Sequence, residues 1–230
     1  RAVPPRAESV CDVGCGNGDT ALDFARRGLE VHALDDSRVF CEAVRARARR
    51  EALHVNVHCD DMRDFRLPRP VDLVLAEFAS LNNLADRRDL PRVLHAVARA
   101  LPDGGWFCFD VNTPRSLRTE YPQTFWVEHS KFKLVQHGSL DTDKRRARLD
   151  FEWFVPAERL WRHVRETLWH VCWTDAEIRQ ALRRAGFELV RHFDGFDVRP
   201  TMPGVTRGTD AYYLARKRKR IPKRAGPRQR

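Results

Sequence analysis

Val10-Cys11-Asp12-Val13-Gly14-Cys15-Gly16-Asn17-Gly18 decides how the rest of the chain is read. An apolar run interrupted only by Asp12 breaks into three alternating glycines, and a helical pattern follows with Ala21, Leu22, Phe24 and Ala25 on one face. A buried strand that stops at glycines and restarts as a helix leaves free backbone N–H groups at the helix start, a ready site for a polar ligand. Glycine suits this turn because a Cβ would keep the ligand away from the backbone. A dinucleotide fingerprint would need G-x-G-x-x-G. Counted from Gly14 the third glycine position holds Asp19, and counted from Gly16 it holds Ala21, so the spacing argues against a dinucleotide.

Three further runs have the same form. Val31-His32-Ala33-Leu34 ends in Asp35-Asp36-Ser37, about 20 residues after the first glycine, where a ribose-binding acid is expected. Val55-Asn56-Val57-His58-Cys59 ends in Asp60-Asp61-Met62, and Val71-Asp72-Leu73-Val74-Leu75-Ala76 ends in Glu77-Phe78. Strands alternating with helices predict a parallel sheet covered on both faces, with glycines and acids along its carboxyl edge. The expected elements are strand 9–14, helix 18–28, strand 30–35, helix 37–52, strands 54–59 and 71–77, helix 86–101 and strand 105–111. Pro91 favours a start near residue 89 for the helix at 86–101.

In these motifs the chain resembles the class I S-adenosylmethionine-dependent methyltransferases. The similarity runs through residues 12–18, Leu34-Asp35-Asp36-Ser37, Asp61-Met62-Arg63-Asp64-Phe65, residues 72–76 with Ser80-Leu81-Asn82, and Leu101-Pro102-Asp103-Gly104-Gly105 leading into residues 107–114. These motifs fall in the family's order and span roughly residues 9 to 217. The resemblance implies a Rossmann-like doubly wound α/β sheet, mostly parallel with an antiparallel last strand, plus a small antiparallel β lid. It divides the chain into a cofactor-binding core at 1–112, a lid at 113–173, a C-terminal helix and closing strands at 174–217, and a basic tail at 218–230.

The lid expectation also rests on composition. Residues 124–137, 145–155 and 161–173 are rich in aromatic and β-branched side chains and read as an antiparallel meander. Five of the six tryptophans lie here, at 126, 153, 161, 169 and 173. Most are expected to glue a thin sheet to the domain, with one or two facing a substrate pocket. A helix follows from Thr174, with Glu177 at the capping-box position and Gly186 as its stop, and then strands at 187–196 and 211–215.

Charge and cysteine content narrow the function classes. The net charge is +10, but residues 216–230 hold nine Lys or Arg and no acid, and without them it falls to +1. The basicity therefore belongs to a tail, the only part through which nucleic acid is expected to bind. The cysteines form no C-x-x-C pair, and no metal site is expected. No stretch is apolar and long enough for a membrane helix, and the expected setting is cytoplasmic.

Carried onto this chain, the resemblance implies cofactor contacts from Asp12, Gly14, Cys15, Gly16, Asp35, Asp61, Met62, Glu77 and Phe78. Gly14 and Gly16 admit the methionine part. Asp12 orders the loop or meets the ammonium, Asp35 takes the ribose hydroxyls, Asp61 and Met62 flank the adenine, and Glu77 and Phe78 lie near the sulfonium. Cys15 reads as a small residue tolerated beside the ligand. Substrate candidates are Asn82, Trp126 and His129. No catalytic residue is assigned; His129, His137 and Glu128 are the candidates if a base is used, and Ala79 stands where relatives often carry an acid. Relatives also place a helical segment before the first strand. Only about nine residues precede it here, implying a shortened chain or a more open site.

The leading expectation is in-line methyl transfer to a nitrogen or oxygen of a small molecule. The alternatives are an RNA or protein methyltransferase using the basic tail, or a cofactor-binding protein without catalysis. The acceptor and the oligomeric state are not written in the sequence.

Overall fold

The structure is a computed structural model describing residues 7–119, 122–141, 145–194 and 210–219. Strand β1 (Ser9–Val13) leads through the glycine turn into α1 (Asp19–Arg26). There follow β2 (Glu30–Asp35), α2 (Arg38–Arg50), β3 (Asn56–Cys59), β4 (Leu73–Ala76), a 3-10 turn (Ser80–Asn83), α3 (Asp89–Ala100), β5 (Trp106–Asn112) and α4 (Pro114–Thr119). Strands β6 (Thr124–His129), β7 (Phe132–Leu140), β8 (Arg146–Ala157) and β9 (Leu160–Val171) come next, then α5 (Asp175–Arg184), β10 (Phe187–Asp194) and β11 (Asp210–Lys217).

The first sheet has the order β10-β11-β5-β4-β1-β2-β3, with β11 antiparallel to both of its neighbours and the other pairs parallel. Alternation along each strand explains the layers. Val10, Val31, Ala33, Leu73 and Leu75 point to the face covered by α1 and α2, packing with Ala21 and Val44. Cys11, Val13, Leu34, Val74 and Ala76 point to the other face, where Leu90, Val93 and Val97 of α3 and Ile178 and Leu182 of α5 close over them. Each fully buried aliphatic or aromatic side chain contributes about 1.5–3 kcal/mol. On β5, Phe107 and Phe109 extend this core to Phe187 and Tyr213 through stacked and tilted rings.

Helix ends follow the expected chemistry. Ser37 Oγ accepts the Phe40 amide at the start of α2. Thr174 and Glu177 form a reciprocal capping box on α5. Pro91 sits in the first turn of α3, where its missing N–H costs nothing.

The β6–β9 sheet is antiparallel throughout. It has one strand more than the three-segment pattern suggests, because the 124–137 run folds back at Ser130-Lys131, a turn without the Gly or Asn that marks hairpins. The sheet joins the core at one end. There Ala147, Cys172 and Leu117 of α4 form a small apolar cluster, while Val171 enters the main core. The basic run also begins later than its charge suggests. Arg216 and Lys217 belong to β11, with Arg216 donating to Gly104 O over the Trp106 ring and Lys217 Nζ donating to Ala98 O and Leu101 O. Residues 220–230, most of the tail on which the nucleic-acid expectation rests, lie outside the described residues.

Candidate cofactor and acceptor site

Chain order brings β1 and β4 side by side while their connections leave in opposite directions, so a crevice opens outside their carboxyl ends. The glycine turn forms one wall. The amides of Gly14 and Cys15 donate to Leu34 O at 2.8 and 3.0 Å, tying the turn to β2. Gly14 is required by close approach, since a Cβ there would lie 2.6 Å from Ser80 Oγ. At Gly16, with φ +52°, a Cβ would meet nothing within 4 Å. Gly16 therefore borders open space.

Asp35 shapes this turn. Its Oδ2 accepts the Gly16 amide at 2.8 Å and its Oδ1 accepts the Ser37 amide at 2.9 Å. A carboxylate oxygen has two acceptor positions, so each keeps one for a ribose hydroxyl. Asp12 is buried, and burial, followed by the Glu77 charge, pushes its pKa up to about 7, offset in part by a hydrogen bond from the Ala21 amide. That bond favours the loop-ordering role among the two expected for Asp12. Cys15 is buried, and desolvation raises its thiol pKa, so it offers backbone rather than a nucleophile. Met62 lies on the turn, its Cε 3.7 Å from where a Gly14 Cβ would be.

The opposite wall follows β4. Glu77 Oε2 accepts the Thr20 hydroxyl at 3.3 Å, and burial raises the Glu77 pKa. Phe78 and Ala79 both have positive φ, 57° and 56°, and the Phe78 side chain is 84% exposed. The Ser80 hydroxyl donates to Glu77 O at 2.7 Å.

At three places the structure gives expected site residues partners or faces that the sequence does not show. The Asp61 carboxylate is occupied by Arg63, whose backbone N–H and Nε meet Oδ1 at 2.8 and 2.9 Å while Nε and Nη2 meet Oδ2. Arg63 also holds Asp89 at 3.0 Å. These contacts occupy the Asp61 carboxylate in this structure and hold its pKa below the usual carboxylate range. Asn82 is 0% exposed and acts as a clamp, its Nδ2 donating to Asn112 O at 3.2 Å and Val171 O at 2.8 Å while its Oδ1 accepts the Asn112 amide at 2.9 Å. It fastens β5 to the end of β9 and has no face toward a substrate.

The third place is the four-stranded sheet, whose aromatics divide between its two faces. Residues 147, 149, 151 and 153 share the face whose His170 meets Asn112 at 3.3 Å. Trp126 pairs through Val135 with Glu152 and so stands on the opposite, charged face, 57% exposed. Trp161 and Trp169 are exposed on that face beneath Lys133 and Arg146. Only Trp173 is fully buried glue, with its Nε1 donating to Leu81 O.

The base candidates are all committed locally. His129 ends β6 at the hairpin, stacked on Phe132 and accepting the Lys131 amide. Glu128 pairs with Lys133 and His137 with Thr124. The residue sequence reasoning missed is Asp110, buried on β5 with Oδ2 accepting the Ala79 amide at 2.8 Å. A lone acid inside the apolar run 107–111 was its signal.

These residues fit S-adenosylmethionine. Open space lies over Gly16, a diol acceptor faces from Asp35, and Asp12 and Glu77 suit a cationic ligand. Residues 10–105 match a methyltransferase domain model. Over 105 residues the chain is 31% identical to the dTDP-3-amino-3,4,6-trideoxy-alpha-D-glucopyranose N,N-dimethyltransferase of Streptomyces venezuelae, covering 46% of this chain and 43% of that one. It is 36% identical over 105 residues to the dTDP-3-amino-3,6-dideoxy-alpha-D-glucopyranose N,N-dimethyltransferase of Streptomyces fradiae, covering 45% and 40%. Both alignments thus span less than half of these curated relatives. In fold it is similar to CalS10, an amino pentose methyltransferase from Micromonospora echinaspora, with a TM-score of 0.76 at 23% identity over 94% of this chain and 86% of that one. Residues 10–105 thus match a methyltransferase domain, and in motif order and fold the chain is similar to the class I S-adenosylmethionine-dependent methyltransferases.

Proposed function

We propose that the chain transfers a methyl group from S-adenosylmethionine to the nitrogen of a small-molecule amine, of the amino-sugar class that its curated relatives methylate. The observation that carries this is the open space over Gly16, flanked by Asp12, Asp35 and Glu77 along one sheet edge. Gly14 and Gly16 admit the cofactor to the backbone, Asp35 takes the ribose, and Asp12 and Glu77 supply negative charge toward its cationic end. Met62 packs beside the turn, and Phe78 places an apolar ring at the mouth.

S-adenosylmethionine supplies an activated methyl group that carries its own leaving group. The protein's task is then alignment and exclusion of water, and positioning can supply about 7–11 kcal/mol of barrier reduction. No dedicated acid–base pair is required. The apolar face of the four-stranded sheet, with Leu149, Phe151 and Trp153, covers the acceptor in this reading. The proposed setting is cytoplasmic, in keeping with free thiols at Cys41 and Cys59.

Calorimetry with S-adenosylmethionine, paired with a methylation assay on dTDP-linked amino sugars, tests the proposal. Binding together with methylated product is the expected result. Binding without turnover on amines would favour a cofactor-binding protein, and absence of binding would remove the site.

A further inference from the structure

Phe78 and Ala79 present a local conflict. Non-glycine residues rarely adopt positive φ, and each such position costs of order 1–3 kcal/mol unless its surroundings hold it there. Here two occur in succession, at 57° and 56°, at the tip of β4. A turn left to itself would relax. What opposes relaxation is a side chain from the neighbouring strand. Asp110 Oδ2 accepts the Ala79 amide at 2.8 Å, a buried bond between residues 31 apart in sequence.

The same carboxylate is held under unusual conditions. Asp110 is 4% exposed, and its second oxygen, Oδ1, has no hydrogen-bond partner. An acid placed there raises the energy of the fold, since a buried polar atom without a partner costs about 1–3 kcal/mol. Asn at this position would keep an acceptor for Ala79, and an apolar residue would extend the run of Phe107, Phe109 and Val111. A costly residue that grips a strained turn beside the site indicates work done for the site.

The turn controls two walls. Its Ser80 hydroxyl abuts Gly14, so a shift of the turn also presses on the glycine loop. Glu77 reaches back to Thr20 at the start of α1. Phe78, 84% exposed, has no packing of its own that would fix its ring. The backbone sets where that ring stands.

We propose that Asp110 is a positioning residue for methyl transfer: by gripping the Ala79 amide it locks the left-handed Phe78–Ala79 turn and so sets where the Phe78 ring and the Glu77 carboxylate meet the reacting atoms. The inference rests on the methyltransferase reading above. Asp110 touches neither cofactor nor acceptor in this account; it acts through the turn.

The experiment compares wild type, Asp110→Asn, Asp110→Ala and the double variant Asp110→Ala/Ala79→Gly in the full chain. Hydrogen exchange of a peptide covering residues 77–83 reads the lock without any turnover. Calorimetry with S-adenosylhomocysteine reads the cofactor site, and kcat and KM for an amino-sugar acceptor read the reaction. Asp110→Ala is expected to speed exchange in 77–83 and lower kcat by on the order of tenfold to a hundredfold, the scale of a small misplacement of reacting groups. S-adenosylhomocysteine affinity should change by less than threefold. Asp110→Asn should restore most of kcat, because its amide oxygen still accepts the Ala79 N–H, and Ala79→Gly should restore part by making positive φ easy. Unchanged exchange in Asp110→Ala overturns the proposal, as does unchanged kcat or a parallel loss of cofactor affinity. A wild-type chain that binds no cofactor would refute the methyltransferase reading instead, and the exchange arm would still report on the lock.

Discussion

At the carboxyl edge of the seven-stranded sheet, side chains are held by backbone groups. Asp35 grips the Gly16 and Ser37 amides, Asp110 the Ala79 amide, and Asn82 three backbone groups at once. In the four-stranded sheet, side chains are held mainly by one another. Glu152 pairs with His163, Asp150 with Arg148 and Thr167, and Trp161 and Trp169 lie under cations. Backbone partners are fixed by the fold, whereas exposed ion pairs are worth about 0–1 kcal/mol and rearrange cheaply. The first region is built to hold geometry, and the second can rearrange at little cost. This contrast can be attacked from several directions.

The largest effect is expected at Gly16. Gly16→Val places a branched side chain in the open space, at a φ of +52° where valine is strained. Affinity for S-adenosylmethionine should fall by on the order of a hundredfold, or about 2.7 kcal/mol. Thermal unfolding should show a folded protein. Undiminished affinity would mean that the space over Gly16 is not the cofactor site.

Next comes Asn82→Ala, which leaves Val171 O and Asn112 O and N without their buried partner. Unsatisfied buried groups cost about 1–3 kcal/mol each, and with partial relaxation a loss near ~3 kcal/mol in urea unfolding is expected. A loss under ~0.5 kcal/mol, the range of ordinary surface changes, would show that the four-stranded sheet is fastened elsewhere.

Asn82 also shows where sequence reading stops. Strand β1, the glycine turn and α1 were legible because their signals are local: an apolar run, glycines, then a helical face within 17 residues. Asn82 sits in a motif that resembles a substrate contact, yet its partners lie 30 and 89 residues away. Asp61 fails for a nearer reason. The arginine two positions on can fold back over it, and nothing in the spacing says that it does. For the aromatics, strand positions were readable but faces were not, since face depends on a register that the unmarked turn at Ser130-Lys131 helps to set.

A smaller effect follows from the buried acids. Burial lifts Asp12 to about 7, with Glu77 and Asp35 adding repulsion and the Ala21 amide opposing it. Asp110 is lifted to about 7 likewise by burial, with Asp210 and Glu77 adding to it and backbone amides at Ala79 and Phe78 opposing. In the unfolded chain both titrate near 3.8, so between about pH 4 and 7 the folded state binds more protons than the unfolded one. Their contribution to stability is therefore present at low pH and is lost as pH rises through about 7. Cofactor binding runs the other way. A cationic ligand favours ionised Asp12, so affinity should rise several-fold from about pH 6 to 8, with proton release on binding. Calorimetry in buffers of different ionisation heat measures that release. S-adenosylhomocysteine, lacking the sulfonium charge, should show a shallower rise, and equal slopes would place Asp12 outside the field of the sulfonium.

The smallest effects are expected at two residues of β6, and they sharpen the comparison most. Trp126 is 57% exposed on the charged face beside the Glu152 row, while His129 ends the same strand at the hairpin on the opposite face, stacked on Phe132. Removing either should change stability by no more than about 0.5 kcal/mol. If the acceptor lies against the apolar face, Trp126→Ala should leave acceptor KM unchanged while Phe151→Ala raises it. The opposite pattern would turn the sheet over and return Trp126 to the substrate. His129→Ala then separates the remaining possibility. With kcat unaffected across pH, no base is drawn from the hairpin, and alignment by the backbone-held edge carries the reaction. A loss of kcat concentrated at high pH, where the imidazole is neutral and could act as a base, would instead bring the four-stranded sheet into the chemistry itself.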